Sequence, residues 1–302
     1  MPNLLSQLEE SRKEMYEKHH VEIPEVVVCV TPKSYVFECD RRRAKSNPTP
    51  KPKNDDSEMS EFVFHIHQIC MDTFPNISPA DLTRLMYLST YLNYNNELED
   101  ERGKVMHKND IKKIMRLSDQ QFYNFWNTMT SCNILHEEAY GVKLSNDLFF
   151  KGSLSSKKAV KYKKKNLAVS RMYIDGIRDL YQKSTPSSHK TLSYIFRILP
   201  FVNRKYNVVC KNPWEINVHN IDTMTVGEFA DIIGYDRHNI SRLITDLVHT
   251  TFMVGDKELG AIGIVSVNKS AKEDRKIYIN PYVYFAGDDI KDVEVLCVFS
   301  ND

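Results

Sequence analysis

Met224–Met253 reads MTVGEFADIIGYDRHNISRLITDLVHTTFM, and Met106–Leu135 reads MHKNDIKKIMRLSDQQFYNFWNTMTSCNIL. The two align without a gap. Upstream, Leu82–Leu98 (LTRLMYLSTYLNYNNEL) aligns in the same way on Leu192–Val208 (LSYIFRILPFVNRKYNV). Downstream, Leu144–Gly152 (LSNDLFFKG) aligns on Ile279–Gly287 (INPYVYFAG). Three blocks in one order imply two diverged copies of a single structural unit.

The spacing inside each copy predicts its elements. Leu82, Leu85, Met86, Leu88 and Leu92, or Leu192, Ile195, Phe196, Ile198 and Val202, recur at helical intervals. A short helix follows, over Lys108–Met115 or Val226–Ile233. In copy two the turn Gly234-Tyr235-Asp236 ends it, with glycine free to take a positive φ. Asp236, or Ser118 in copy one, stands where the next helix needs an N-cap. Copy two then shows an alternating strand (Ala261–Val267), a charged loop and a return strand (Lys276–Asn280). Copy one has a shorter counterpart around Glu138 and Gly141. Helix, turn, helix and hairpin make a winged helix-turn-helix. The expected fold class is therefore mainly α with small β-hairpins (α+β), as two tandem winged helices on a basic helical connector.

The expected organisation runs as follows. Residues 1–40 hold an amphipathic helix and a hairpin, and 41–60 a Pro- and Lys-rich linker. Residues 61–154 form the first winged helix, 155–186 a basic connector with a helix over Val169–Gln182, and 187–290 the second winged helix. Residues 291–302 are a tail. At 302 residues the chain can bury a core in each half. It has no apolar run of membrane-spanning length and no signal-peptide pattern, and its six cysteines form no CxxC pair. A cytoplasmic protein without a membrane partner is the expectation.

The formal net charge is only +1, yet RRRAKSNPTPKPK and KGSLSSKKAVKYKKKNLAVSR contain no acid. In copy two the second helix offers Arg237, His238, Asn239, Ser241, Arg242 and Thr245 opposite an apolar face of Ile240, Leu243, Ile244 and Leu247. Arg suits guanine, Asn suits adenine, and Ser or Thr suits base or phosphate. Lys269, Lys272, Arg275 and Lys276 on the wing suit phosphates or the minor groove. Copy one offers Gln120, Gln121, Tyr123 and Asn124, with Lys112 and Lys113 on the helix before. Two readings of that copy stay open: adenine readout, or a surface for a second copy of the chain or a host replication or transcription protein. Lys157, Lys158, Lys161, Lys163, Lys164 and Lys165 read as a phosphate-tracking arm or as a solvated linker.

Nothing in the sequence makes a catalytic, cofactor or metal proposal. Walker, GxGxxG, GxSxG and HExxH patterns are missing. His65, His67 and Cys70 (HIHQIC) alternate with Phe62, Phe64 and Ile66, and strand amphipathicity accounts for them. The run Met224–Met253 and the closing IYINPYVYFAGD (Ile277–Asp288) resemble the winged-helix domain of RepL-type plasmid replication proteins and related phage-encoded proteins. That resemblance implies a non-enzymatic protein acting on double-stranded DNA at an origin or an operator. A protein-interaction module, or a binder of single-stranded nucleic acid or RNA, is the alternative.

Overall fold

The computed structural model describes residues 61–66, 77–152, 169–265 and 274–285. The first half runs β1 (Phe62–Ile66), α1 (Pro79–Ser89), α2 (Lys108–Met115), α3 (Asp119–Ser131), β2 (Leu135–Glu138), β3 (Gly141–Leu144) and β4 (Phe149–Phe150). The second runs β5 (Val169–Tyr173), α4 (Ile174–Lys183), α5 (His189–Ile198), α6 (Val226–Ile233), α7 (Ile240–Val248), β6 (Thr251–Val254), β7 (Lys257–Gly260), β8 (Ile262–Val265), β9 (Lys276–Ile279) and β10 (Tyr284–Phe285). The fold is a mixed α+β arrangement of helices and small antiparallel sheets. Among the described residues no helix is long and apolar enough to cross a membrane.

A four-stranded antiparallel sheet, in the order β10-β5-β1-β4, joins the halves. Its register is self-complementary. Phe64 and His65 of β1 pair with Phe150 and Phe149, while Arg171 and Met172 of β5 pair with Phe285 and Tyr284. Since Phe149-Phe150 and Tyr284-Phe285 are equivalent in the repeat, Phe64 corresponds to Arg171 and Ile66 to Tyr173. Across the centre, Phe64 faces Arg171, Phe62 faces Tyr173 and Ile66 faces Val169. Each residue meets its own counterpart or that of its mirror position, which is the pairing of an isologous dimer written into one chain. A local two-fold passes through the Phe64–Arg171 pair.

The helices continue that arrangement. α1 starts at Ser78, whose hydroxyl accepts from the Asp81 N–H at 3.1 Å, with Pro79 in the first turn. It packs against its counterpart α5, and Thr83 Oγ1 donates to the His189 carbonyl at 2.7 Å. Tyr181 of α4 stacks between Tyr87 (3.9 Å) and His189 (4.6 Å). Val63, Phe149, Met172 and Tyr284 turn one sheet face to these helices, and a single buried apolar cluster runs from Val63 to Tyr284 through both halves. Phe62, Phe64, Ile66, Phe150, Tyr173 and Phe285 form smaller clusters on the other face.

Three sequence expectations change. Val169–Tyr173, expected as the start of the connector helix, is a central strand, and helix begins only at Ile174. Its β-branched and aromatic ends pair with β1, and tertiary pairing overrides the helical spacing of Met172, Tyr173 and Ile177. The gapless match breaks after α7: Ser145 N–H donates to Ile134 O and Asn280 N–H to Ala261 O, so Ala261, not Phe252, is the counterpart of Ile134. The hairpin β6–β7 is thus an insertion in the second half. It packs on α4, where the Met253 N–H donates to Asp179 Oδ2 at 2.7 Å. The match also slips by one residue at the turn after α1, because Asn93 N–H donates to Glu97 O where Asn203 N–H donates to Val208 O.

Two measurements probe this packing. A Cβ on Gly176 would lie 2.7 Å from the Tyr282 carbonyl oxygen and 3.5 Å from the Phe252 ring. Gly176→Ala is therefore expected to lower stability by about 1–3 kcal/mol in denaturant unfolding. Burial pushes His189 down to about 4 and His65 down to about 3, from the unfolded value of about 6.5. Both are neutral in the fold and charged in the acid-unfolded chain, so the unfolded state binds more protons below about pH 6.5. Stability is full above that pH and falls by roughly 1.4 kcal/mol per pH unit per histidine as pH drops toward the folded values. His189→Phe should flatten part of that slope in unfolding titrations between pH 7 and 4.

Candidate nucleic-acid interface

In the second half, α6 opens with a reciprocal cap. The Glu228 N–H donates to Thr225 Oγ1 at 3.1 Å, and the Thr225 N–H donates to Glu228 Oε2 at 2.8 Å. Lys211 Nζ lies 2.6 Å from Glu228 Oε1. That ammonium, with the Thr225 N–H, draws the Glu228 carboxyl down to about 2. Gly234 ends α6 at φ 66°, and Asp236 caps the next turn by accepting from the His238 N–H at 2.9 Å.

A short 3-10 turn, Arg237–Asn239, then leads into α7. Ile240, Leu243 and Leu247 are buried and Ile244 is half-buried, while Arg237, His238, Asn239, Ser241, Arg242 and Thr245 are all exposed. The six residues proposed from sequence are therefore all accessible, three in the turn and three on α7. They are partly engaged locally. Asp231 holds Arg237 through Nε at 2.8 Å and Nη2 at 2.5 Å. Asn239 donates to Asp236 at 3.1 Å, and Thr245 donates its hydroxyl to the Ser241 carbonyl at 2.9 Å. Arg242 lies 3.9 Å from Asp246.

The hairpin β8–β9 pairs Ile262 with Ile279 and Val265 with Lys276. Lys269 and Lys272 lie outside the described residues. Arg275 and Lys276 sit at the loop end of the hairpin, where β9 begins, against the start of α6. The Val226 N–H donates to the Arg275 carbonyl at 2.9 Å, and Lys276 Nζ donates to the Thr223 carbonyl at 3.2 Å. The sequence placed Lys276 on a free wing, whereas here its ammonium caps a neighbouring loop.

In the first half, Ser118 and Gln121 form a reciprocal cap of α3, at the position of Asp236 in the second half. Gln121 is half-buried by it, so it differs from the exposed reader expected from sequence. Gln120, Tyr123 and Asn124 are exposed, and Gln120 Nε2 donates to Asn124 Oδ1 at 2.9 Å. Lys112 pairs with Asp119 at 2.7 Å and Lys113 approaches Asp110 at 3.8 Å. The hairpin β2–β3 carries exposed Glu137, Glu138 and Tyr140, with Lys143 on Glu138 at 2.7 Å. The two equivalent faces differ in charge: one presents arginines, the other amides, tyrosines and carboxylates.

The connector residues Lys157, Lys158, Lys161, Lys163, Lys164 and Lys165 lie outside the described residues, as do His67 and Cys70. His65 is buried in β1 with its ring stacked on Phe149 at 5.3 Å. Among the described residues no three His, Cys, Asp or Glu side chains cluster as a metal site would.

At the turn after α2, Arg116 takes φ 52°, where the second half has Gly234. A left-handed conformation costs a non-glycine residue about 1 kcal/mol. Arg116→Gly is expected to recover a comparable stability in chemical denaturation. An unchanged or lowered midpoint would show that the Arg116 side chain compensates.

No family model matches the chain, and no curated protein or solved structure is significantly similar to it.

Proposed function

We propose that this is a non-enzymatic double-stranded-DNA-binding protein of phage or plasmid type, acting in replication initiation or transcriptional control through two winged helices. The observation that carries the reading is the accessible turn Arg237–Asn239 and the α7 that follows: six exposed polar or basic side chains, behind a capped helix-turn-helix and beside a hairpin. The resemblance of Met224–Met253 and Ile277–Asp288 to RepL-type proteins points the same way, toward an origin or an operator.

The two-fold of the central sheet gives this reading a geometry. Helices related by a two-fold suit a duplex, whose own backbone has local dyads, and dimeric helix-turn-helix proteins meet half-sites about one helical turn apart. Here the two readers differ. The second half offers Arg237, in the turn before α7, and Arg242, on α7, for guanine, while α3 offers Asn124 and Gln120 for adenine. The favoured target is therefore two inverted, unlike half-sites, one G-containing and one A·T-rich.

Selection from random duplex DNA with the full chain should enrich such a site, with affinity falling steeply as salt rises. No enriched motif and a flat salt response would sink the reading. Arg237→Ala with Arg242→Ala should relax preference in the G-containing half, each costing roughly 5- to 100-fold against the best site. Lys269→Ala with Lys272→Ala should weaken every sequence alike. Asp231→Asn, which releases Arg237, should tighten non-specific binding and steepen its salt dependence.

A further inference from the structure

The second half carries another insertion. Its strand-like segment 207–210 runs antiparallel to β9, with the Ile279 N–H donating to Asn207 O and the Val209 N–H to Ile277 O. The equivalent segment of the first half closes by the short turn Asp100–Lys104, bridging Glu99 to Val105. In the second half the bridge is Cys210 to Thr223, and a longer loop stands between. The first half builds the same skeleton without that loop, so the shared skeleton does not require it.

Side chains and backbone hold it firmly. Asn203 Nδ2 donates to the Glu215 carbonyl at 2.8 Å, and the Arg204 N–H to the Pro213 carbonyl at 3.1 Å. Asn212 bridges to Asn220 and Asp222 at 2.8 and 2.9 Å. On this rigid frame Trp214 is 52% exposed and Ile216 73% exposed. The Arg204 guanidinium lies over the Trp214 ring at 4.6 Å, and Lys205 Nζ over the Tyr206 ring at 5.1 Å. The Tyr206 hydroxyl reaches the Ile216 carbonyl at 3.4 Å, which ties the half-buried Tyr206 to the exposed segment.

The register also fixes where this surface lies. Segment 207–210 ends beside Lys276, and Thr225 bridges Lys276 at the start of α6. The loop therefore leaves the fold at the same end as the β8–β9 loop and the N-terminus of α6.

We propose that the Trp214 loop is a binding site for single-stranded DNA, separate from the exposed face of α7. A half-exposed indole that already carries a cation offers its accessible surface to an unpaired base, while Arg204 and Lys205 supply charge for the adjoining phosphates. The exposed Ile216, two residues on and tied to Tyr206, adds apolar contact area for a neighbouring nucleotide. Paired bases are stacked within the duplex and cannot use it. An acidic peptide would meet the same cations but would leave the exposed indole without a flat partner.

The chain has two tryptophans, and Trp126 is only 4% exposed, so emission quenching reports on Trp214. Titrating the full protein with an oligothymidylate should quench its fluorescence saturably, and a blunt duplex of equal length should not. Trp214→Ala should weaken oligothymidylate binding, read by anisotropy of a labelled strand, by about ten- to a hundredfold. Trp214→Phe should restore much of it. Arg237→Ala with Arg242→Ala should leave the quenching intact, which keeps this site's test independent of the duplex reading. Unchanged affinity in Trp214→Ala, equal quenching by the duplex, or quenching by oligoglutamate in place of oligothymidylate would each overturn the proposal.

Discussion

The antiparallel pairing of β1 with β5 about Phe64 and Arg171 is the contact on which the rest of the molecule depends. Both strands have residues to bury on both faces. Val63 and Met172 turn toward the helices, while Phe64, Ile66 and Tyr173 turn the other way. A slip of one residue would exchange the two sets, placing aromatic rings where α1 and α5 need smaller groups. The register is thus fixed from both sides, and with it the two-fold that sets α1 against α5. The stack of Tyr87, Tyr181 and His189 and the buried Arg84–Asp81 pair, 2.6 Å apart, fill the seam that this pairing creates.

Within each half a buried asparagine ties the outer strand to the turn after the first long helix. Asn96 sits at φ 63° and donates its amide to the Leu144 and Phe149 carbonyls at 3.5 and 2.8 Å. Asn207 sits at φ 51° and donates to Ile279 and Tyr284 at 3.0 and 2.8 Å. Asparagine tolerates the left-handed region better than other side chains, and its amide replaces a missing ladder partner. A position that must satisfy backbone geometry and two carbonyls at once has few alternatives. That explains why it persists while the surface around it has diverged.

Local signals were legible in the sequence, and long-range ones were not. The limits of α2 and α6 follow from their apolar spacing, and Gly234, Asp236 and Ser118 mark the turn and caps between the helices. The exposed face of α7 follows from the same periodicity. The pairing of β1 with β5 could not be read, because two five-residue strands separated by most of a unit carry no mark of their partner. The β6–β7 hairpin had a signal in Gly255-Asp256, with Gly255 at φ 58°. The gapless run through Phe252 masked it: an insertion that begins with an apolar residue in register looks like a continuation. Gln121 looked like a reader because helical spacing cannot tell a capping side chain from a free one. The Trp214 loop had no repeat counterpart to draw attention to it, and its meaning rests on cations stacked over rings, which spacing does not encode.

Under the proposed reading, joining the two-fold within one chain changes what the arrangement recognises. A homodimer built on the same sheet would present identical helices, so any duplex it read would be read the same way twice. Here the chain itself supplies both partners, and no translational or rotational freedom is lost in bringing them together. The buried skeleton is shared, so substitutions there are constrained by two environments at once. The exposed faces carry no such constraint. The turn before α7 and α7 itself carry Arg237 and Arg242, α3 carries amides and Tyr123, and among the described residues the second half alone has a hairpin against α4 and a tryptophan loop. Under the proposed reading, these differences convert a symmetric reader into one with a direction along the duplex. The tryptophan loop then lies on one side only, so any unpaired strand it held would lie to a defined side of the site.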